Sequence, residues 1–306
     1  MQITSLDPNP NSLVSVRLTP SDAPRWDTCP RQVWYSDIRR VFPRAVPISD
    51  IFDHCLEDAV YRYLLSWKLR TASPGPVQVF EELWRESIAS VPIQCHNPSS
   101  PDFLRRLGAN LLARLPDAWE RSQFDIVVDD CGEPIIKKPL RLQLGRRGRI
   151  DLEICGSVGA LVQTPHEVGG CDLVLLEVTP ITLNHGKRFA RRSDHLTGCQ
   201  LLVDSHFRRW GDRTLTRIGF WDFIKGRQGG RIADPLLVQA RSQIEMIEYG
   251  EKLWWIAENV VRQRFSRTSR EHFNCPCPQC PFVRHCLDED ATDLVFPTVP
   301  ALAATA

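Results

Sequence analysis

The sequence has no excess of charge of either sign. Lys plus Arg number 38 and Asp plus Glu 37, a formal net charge of +1. That balance excludes a uniformly basic nucleic-acid coat and an acidic tail protein. Long apolar runs are missing too: strongly apolar stretches such as residues 173–178 are far too short to cross a bilayer. The start, MQITSLDPNPNSLVSV, has no basic segment followed by an apolar one, so no signal peptide is expected. There is no Gly-x4-Gly-Lys-Ser/Thr loop of the kind that cradles nucleotide phosphates. Internal repeats are absent as well. Cysteine is present in an odd number, 11, which makes complete internal pairing impossible. These absences together predict a cytoplasmic protein, where clustered thiols more often hold metal than each other.

The 306 residues, 42% hydrophobic and 25% charged, suit one large globular domain or two small ones. Residues 1–24 read as a loose lead-in with one short strand. A helix is predicted from Ser21 through Trp34. Another covers 50–70, with Ile51, Cys55, Ala59, Tyr63, Leu64 and Trp67 at helical spacing and Ser49 as N-cap. Helices at 77–91 and 101–122 follow, the latter bent or broken at Pro116. From Phe124 the texture turns to strands: 124–128, 135–144, 149–155, and an apolar run at 172–178 that fits a central buried strand. A helix over 187–207, a strand over 214–223 and a long helix opening at Asp234 and Pro235 complete the pattern. The order predicts one α/β domain with a helical extension and no clear linker.

Basic residues are unevenly spread. They gather as Lys137, Lys138, Arg141, Arg146, Arg147 and Arg149; as Lys187, Arg188, Arg191 and Arg192; as Arg208, Arg209, Arg213 and Arg217; and as Arg262, Arg264, Arg267 and Arg270. A groove lined by such runs would neutralise phosphates in a salt-dependent way, whereas any one run alone is an ordinary solvated face.

Four cysteines fall between Cys275 and Cys286. Cys277 and Cys280, two residues apart, can turn both sulfurs to one side, and Cys286 can close around the same centre. Thiolates are soft donors that suit zinc or an iron–sulfur cluster. Prolines after Cys275, Cys277 and Cys280 hold those cysteines extended. Far upstream, Cys29 sits in Arg-Trp-Asp-Thr-Cys29-Pro-Arg-Gln-Val-Trp-Tyr. This segment, with Cys277-x2-Cys280-x5-Cys286, resembles the iron–sulfur RecB-like nucleases, which include AddB-type helicase–nucleases and CRISPR-associated adaptation exonucleases. The resemblance implies a 4Fe–4S cluster on Cys29, Cys277, Cys280 and Cys286 that ties the chain ends together. Cys275 would be a spare or alternative ligand, the other six cysteines would serve packing, and zinc remains the alternative metal.

The same resemblance, which covers roughly residues 18–290, implies that the chain is a single domain, 1–306, with a restriction-endonuclease-like PD-(D/E)XK fold. Its parts are a cluster segment at 18–48, a nuclease core at 49–233 with a mixed sheet flanked by helices, a helix and cysteine region at 234–290, and a tail at 291–306. Phosphodiester hydrolysis needs a hard divalent ion held by carboxylates. The implied ligands of Mg²⁺ or Mn²⁺ are His54 in Phe-Asp-His-Cys, Asp151 in Gly148-Arg-Ile-Asp, and Glu177 in Leu-Glu-Val-Thr, with Glu153 a weaker candidate. The family lysine falls at Thr179, so Lys187 is the nearest replacement. Gln200 keeps the family glutamine, but Asp204 stands where its tyrosine would be. The implied function is a metal-dependent exonuclease on single-stranded DNA ends, beside an adaptation integrase or a helicase subunit. The alternatives are a catalytically inactive DNA-binding or partner-binding relative and, for the tail alone, a zinc-ribbon adaptor.

Overall fold

The computed structural model describes residues 1–4, 12–72, 74–95, 100–165, 171–207, 215–226, 229–269 and 275–297. The predicted basic residues Arg208, Arg209, Arg213 and Arg270 lie outside them, as does the tail beyond residue 297. Two short strands, β1 (Gln2–Thr4) and β2 (Val14–Leu18), precede helices α1 (Asp22–Thr28) and α2 (Pro30–Val33) and a π turn over Trp34–Ile38. Then come β3 (Phe42–Pro43), β4 (Val46–Pro47), α3 (Ile48–Leu69), α4 (Pro76–Ser90), β5 (Ile93–Gln94), α5 (Pro101–Leu112) and α6 (Leu115–Ser122). Strands β6 (Asp125–Ile126), β7 (Ile136–Arg147), β8 (Ile150–Pro165) and β9 (Cys171–Ile181) follow. After them lie α7 (Lys187–Arg192), α8 (Asp194–Phe207), β10 (Arg217–Ile224), β11 (Arg231–Ile232), β12 (Leu236–Gln239), α9 (Gln243–Val261), α10 (Val283–Asp288) and β13 (Leu294–Val295). The protein is mixed α/β. No helix among the described residues is long and apolar enough to cross a membrane.

The chain forms two compact units. One gathers residues 1–45, 143–154 and 250–306; the other holds 46–142 and 155–249. In the first, β1 pairs antiparallel with β2, and β2 pairs parallel with the start of β8, Val14 opposite Ile150 and Leu18 opposite Ile154. A small core of Tyr35, Val41, Phe282 and Leu294 draws on both ends of the chain, with Cys280 and Cys286 packed against it. In the second, the end of β8 pairs antiparallel with β9 (Ala160 opposite Leu176), β9 pairs parallel with β10, and β10 pairs antiparallel with β12. Helices α3, α4 and α5 bury Phe52, Leu56, Leu64, Phe80, Trp84 and Leu111 in one core with Val174, Leu176 and Trp221 of that mixed sheet.

Several boundaries differ from the sequence reading, each for a local reason. The helix expected over Ser21–Trp34 breaks at Cys29, which is extended (φ −166°, ψ 104°) because Pro30 follows it. The cap expected at Ser49 is not used: α3 begins at Ile48 after Pro47, with no side-chain cap. The break in the 101–122 helix precedes Pro116, which sits in the first turn of α6 where its missing N–H costs nothing. The strand expected over 149–155 continues to Pro165. The helix over 187–207 is divided at Ser193. The helix expected from Asp234 starts only at Gln243, because Leu236–Gln239 instead complete a ladder with Phe220–Arg217.

Candidate functional site

The first site lies in the unit that contains both chain ends. Cys29, Cys277, Cys280 and Cys286 line one cavity of about 90 Å³, together with Arg31, Tyr35, Pro276 and Phe282. Cys29 reaches it because the extended turn at Cys29-Pro30 interrupts the helix. Cys277 lies on a short 3-10 turn and Cys286 on α10. Burial pushes the Cys280 thiol up to about 11, and the neighbouring Cys29, Cys277 and Cys286 add to that. The Cys277 thiol is also raised, first by its hydrogen bond with Cys275, then by burial and by Cys275, Cys29 and Cys286. Burial raises the Tyr35 phenol, and adjacent Cys286 raises it further. The Nε–H of Arg31, on the cavity wall, is buried with no hydrogen-bond partner. Four sulfurs and an unpaired donor on one wall fit a sulfur-ligated group whose own sulfurs accept hydrogen bonds. Among the described residues no cysteine is in a disulfide.

The second site is centred on Glu177, in the other unit. Glu177 is buried at 7% exposure in the apolar run of β9, where an unpaired carboxylate would be costly. Its Oε1 accepts the Gly159 N–H at 2.8 Å, and its Oε2 lies 3.7 Å from His195 Nε2. Cys199 Sγ lies 3.7 Å from that same Nε2. The ligand atoms of Glu177, His195 and Cys199 all fall within 4.8 Å of one another, so the three could hold a metal. His195 and Cys199 share one face of α8 because they are four residues apart.

Burial pushes the Glu177 carboxyl up, but His195, the Gly159 N–H and the charge of Lys137 outweigh it and leave the group below its ordinary value. Burial, then the charge of Glu177, hold the Cys199 thiol well above its ordinary value. Lys137 stands with its Nζ 4.6 Å from the Tyr61 ring centre and is paired with Glu57. Its backbone is left-handed, φ 47°, an uncommon state for a residue with a side chain. Tyr61 and Glu57 lie one helical turn apart on α3, and the Tyr61 hydroxyl accepts the Val178 N–H at 3.0 Å. A turn earlier on the same face, Asp53 pairs with Lys225 at 2.8 and 2.9 Å.

The residues expected from sequence fare differently. Glu177 is at the centre. His54 points to solvent, its side chain 73% exposed, with Asp58 on its own helix 3.7 Å away; the helix face that carries Glu57 and Tyr61 is the one turned inward. Asp151 belongs to the first unit and accepts a hydrogen bond from Gln143 at 2.7 Å. The residue beside Glu177 on β8 is Gly159, eight positions after Asp151. Glu153 is paired with Arg17 at 2.7 Å. Lys187 is exposed at the start of α7, whereas the lysine whose charge reaches Glu177 is Lys137. Gln200 is buried and holds the Arg241 backbone, accepting its N–H at 2.7 Å and donating to its carbonyl at 3.1 Å.

Sequence reasoning passed over His195, and it assigned Cys199 to packing; the missed signal is a His-x3-Cys pair on the helix after the acidic strand. Several members of the basic runs are neutralised locally: Lys138 by Asp129, Arg147 by Glu251 and Arg217 by Asp172. Lys187, Arg188, Arg191 and Arg192 remain exposed. No family model matches the chain, and no curated protein matches it significantly.

Proposed function

We propose that this chain is a RecB-like nuclease of the PD-(D/E)XK type that binds DNA ends, with a structural 4Fe–4S cluster on Cys29, Cys277, Cys280 and Cys286 and a divalent ion at Glu177. The observation that carries the reading is the meeting of Cys29 with the three distant cysteines at one cavity. When bound, the cluster would clamp the N-terminal and C-terminal segments rather than take part in cleavage.

At Glu177 the ion would polarise a phosphate and lower the pKa of a water. Lys137, not Lys187, would stand in for the lysine that Thr179 lacks: its charge reaches Glu177 from β7, on the far side of β8. The exposed basic face of α7 would guide the strand by phosphate contacts. A specific observation favours a second reading, an inactive DNA-binding or partner-binding relative. Gly159 stands beside Glu177 on β8, and Asp151 is engaged by Gln143.

Purification without oxygen and metal analysis test the cluster. About four irons per chain and a brown colour are expected, both lost in Cys280→Ser. A colourless protein with one zinc in that cavity refutes it. Labelled single-stranded and duplex DNA with Mg²⁺ or Mn²⁺ test the activity. Cleavage abolished by Glu177→Ala and by Lys137→Ala supports the enzyme. Salt-dependent DNA binding without cleavage supports the second reading, and equal cleavage by wild type and both variants overturns the site.

A further inference from the structure

We infer that Glu177, His195 and Cys199 form a three-ligand site for a zinc-class transition metal, with one coordination position left open. The inference goes beyond the nuclease reading: it shares Glu177 with that reading but gives it a softer metal than Mg²⁺ or Mn²⁺. A tetrahedral zinc with ordinary bonds to oxygen, nitrogen and sulfur sets its ligand atoms roughly 3.3–3.6 Å apart. Both measured separations, carboxylate to imidazole and thiol to imidazole, are 3.7 Å. The third, carboxylate to thiol, is within 4.8 Å, so the side chains would draw in onto a shared ion.

The same ring atom, His195 Nε2, faces both Glu177 Oε2 and Cys199 Sγ, so the three ligand atoms converge. Without a metal, burial lowers the His195 pKa but its bond to Glu177 raises it more, and burial together with Glu177 keeps the Cys199 thiol neutral. An ion between the three atoms would take the place of those protons, with the imidazole neutral and the thiol ionised.

The donors choose the metal. A thiolate and an imidazole are soft to borderline and suit zinc or cobalt, whereas magnesium and calcium take oxygen ligands. The carboxylate is already oriented for the role: Gly159 N–H binds Oε1 and leaves Oε2 to the metal. The glycine is required there, because a Cβ would stand 2.3 Å from the Leu176 carbonyl and 3.0 Å from Glu177 Cδ. His195 keeps about a third of its side chain exposed, which provides a way in. Three protein ligands with an open fourth position are the pattern of a reactive rather than a purely structural zinc site.

The test uses the full chain with its iron retained. Excess Zn²⁺ is added, dialysed away, and zinc and iron are counted separately; Co²⁺ difference spectra then report thiolate ligation. One zinc per chain is expected beyond the iron, with a thiolate–cobalt band and a rise in melting temperature on zinc addition. His195→Ala and Cys199→Ala, checked for wild-type helix content, should each weaken binding at least about 100-fold and abolish the melting shift. Undiminished zinc and cobalt signals in Cys199→Ala, or none in the wild type, overturn the inference. Zinc bound by a chain that never cleaves DNA upholds it and counts only against the nuclease reading.

Discussion

Replacing Gly159 by alanine probes how tightly the Glu177 site is built. The added Cβ would lie 2.3 Å from the Leu176 carbonyl oxygen, 2.7 Å from the Tyr61 hydroxyl and 3.0 Å from Glu177 Cδ. The first neighbour is backbone, held in the β8–β9 ladder by the Ala160–Leu176 pair, so it cannot swing aside as a side chain would. Overpacking of this kind costs about 1–3 kcal/mol. Displacement of the Gly159 N–H from the buried carboxylate adds about 1.5–3 kcal/mol, the worth of a hydrogen bond to a charged group. The sum is roughly 2.5–6 kcal/mol, or on the order of 10 °C in melting temperature for a unit of this size. Urea unfolding followed by tryptophan fluorescence measures it. Gly250→Ala is the control: no atom lies within 4 Å of its Cβ position, and inside α9 alanine should add about 0.5–1 kcal/mol. A Gly159→Ala protein as stable as the wild type would refute the packing described around Glu177.

Local patterns carried the central elements. Ile51, Cys55, Ala59 and Leu64 recur at helical spacing, and all four are buried on α3. The apolar run through Leu173–Leu176 reads as a buried central strand and is one. What the pattern missed was set by partners distant in sequence. Leu236, Leu237 and Val238 fit a helix as well as a strand, and only pairing with β10 decides between them. The true start of α9 has its own signal in Ser242 and Glu245, spaced as a capping box and bonded as one.

The site divides along the same line. Cysteine spacing is a local fact, so Cys277, Cys280 and Cys286 were legible as a set before any fold was known, whereas Cys29, far away in sequence, joined them only through a family resemblance. Which residue stands beside Glu177 is a matter of hairpin register, and the Gly148-x-x-Asp151 motif says nothing about register over a sixteen-residue strand. A helix face is equally hard to fix from one residue: His54 and Glu57 are three apart, yet one is in solvent and the other pairs with Lys137. Lys137 belonged to a basic run whose neighbours Lys138 and Arg147 are surface partners of acids, and its left-handed backbone had no sequence signature.

Two more outcomes follow from the same geometry. Ser242→Ala should destabilise the chain by about 1 kcal/mol, because the Ser242 hydroxyl caps the Glu245 N–H and bonds its carboxylate; an unchanged urea midpoint would contradict this. Asp53 gives a pH dependence whose sign is fixed. Burial raises its carboxyl to about 6; the Lys225 bond and charge oppose the rise, and Asp50 and Glu57 add to it. The folded protein therefore holds this proton more tightly than the unfolded chain, whose aspartates titrate near 3.9. Below about pH 4 the group is protonated in both states and costs nothing. As pH rises through the interval to about 6, ionisation is easier in the unfolded chain, and stability falls. Asp53→Asn removes that titration, so the variant should gain on the wild type between pH 4 and pH 7 in paired urea titrations. With about a third of the side chain open to solvent, the gain is screened, but its direction is not reversed. A gap between the two proteins that stays constant over that range, or that moves in favour of the wild type, would show that Lys225 and not burial governs Asp53.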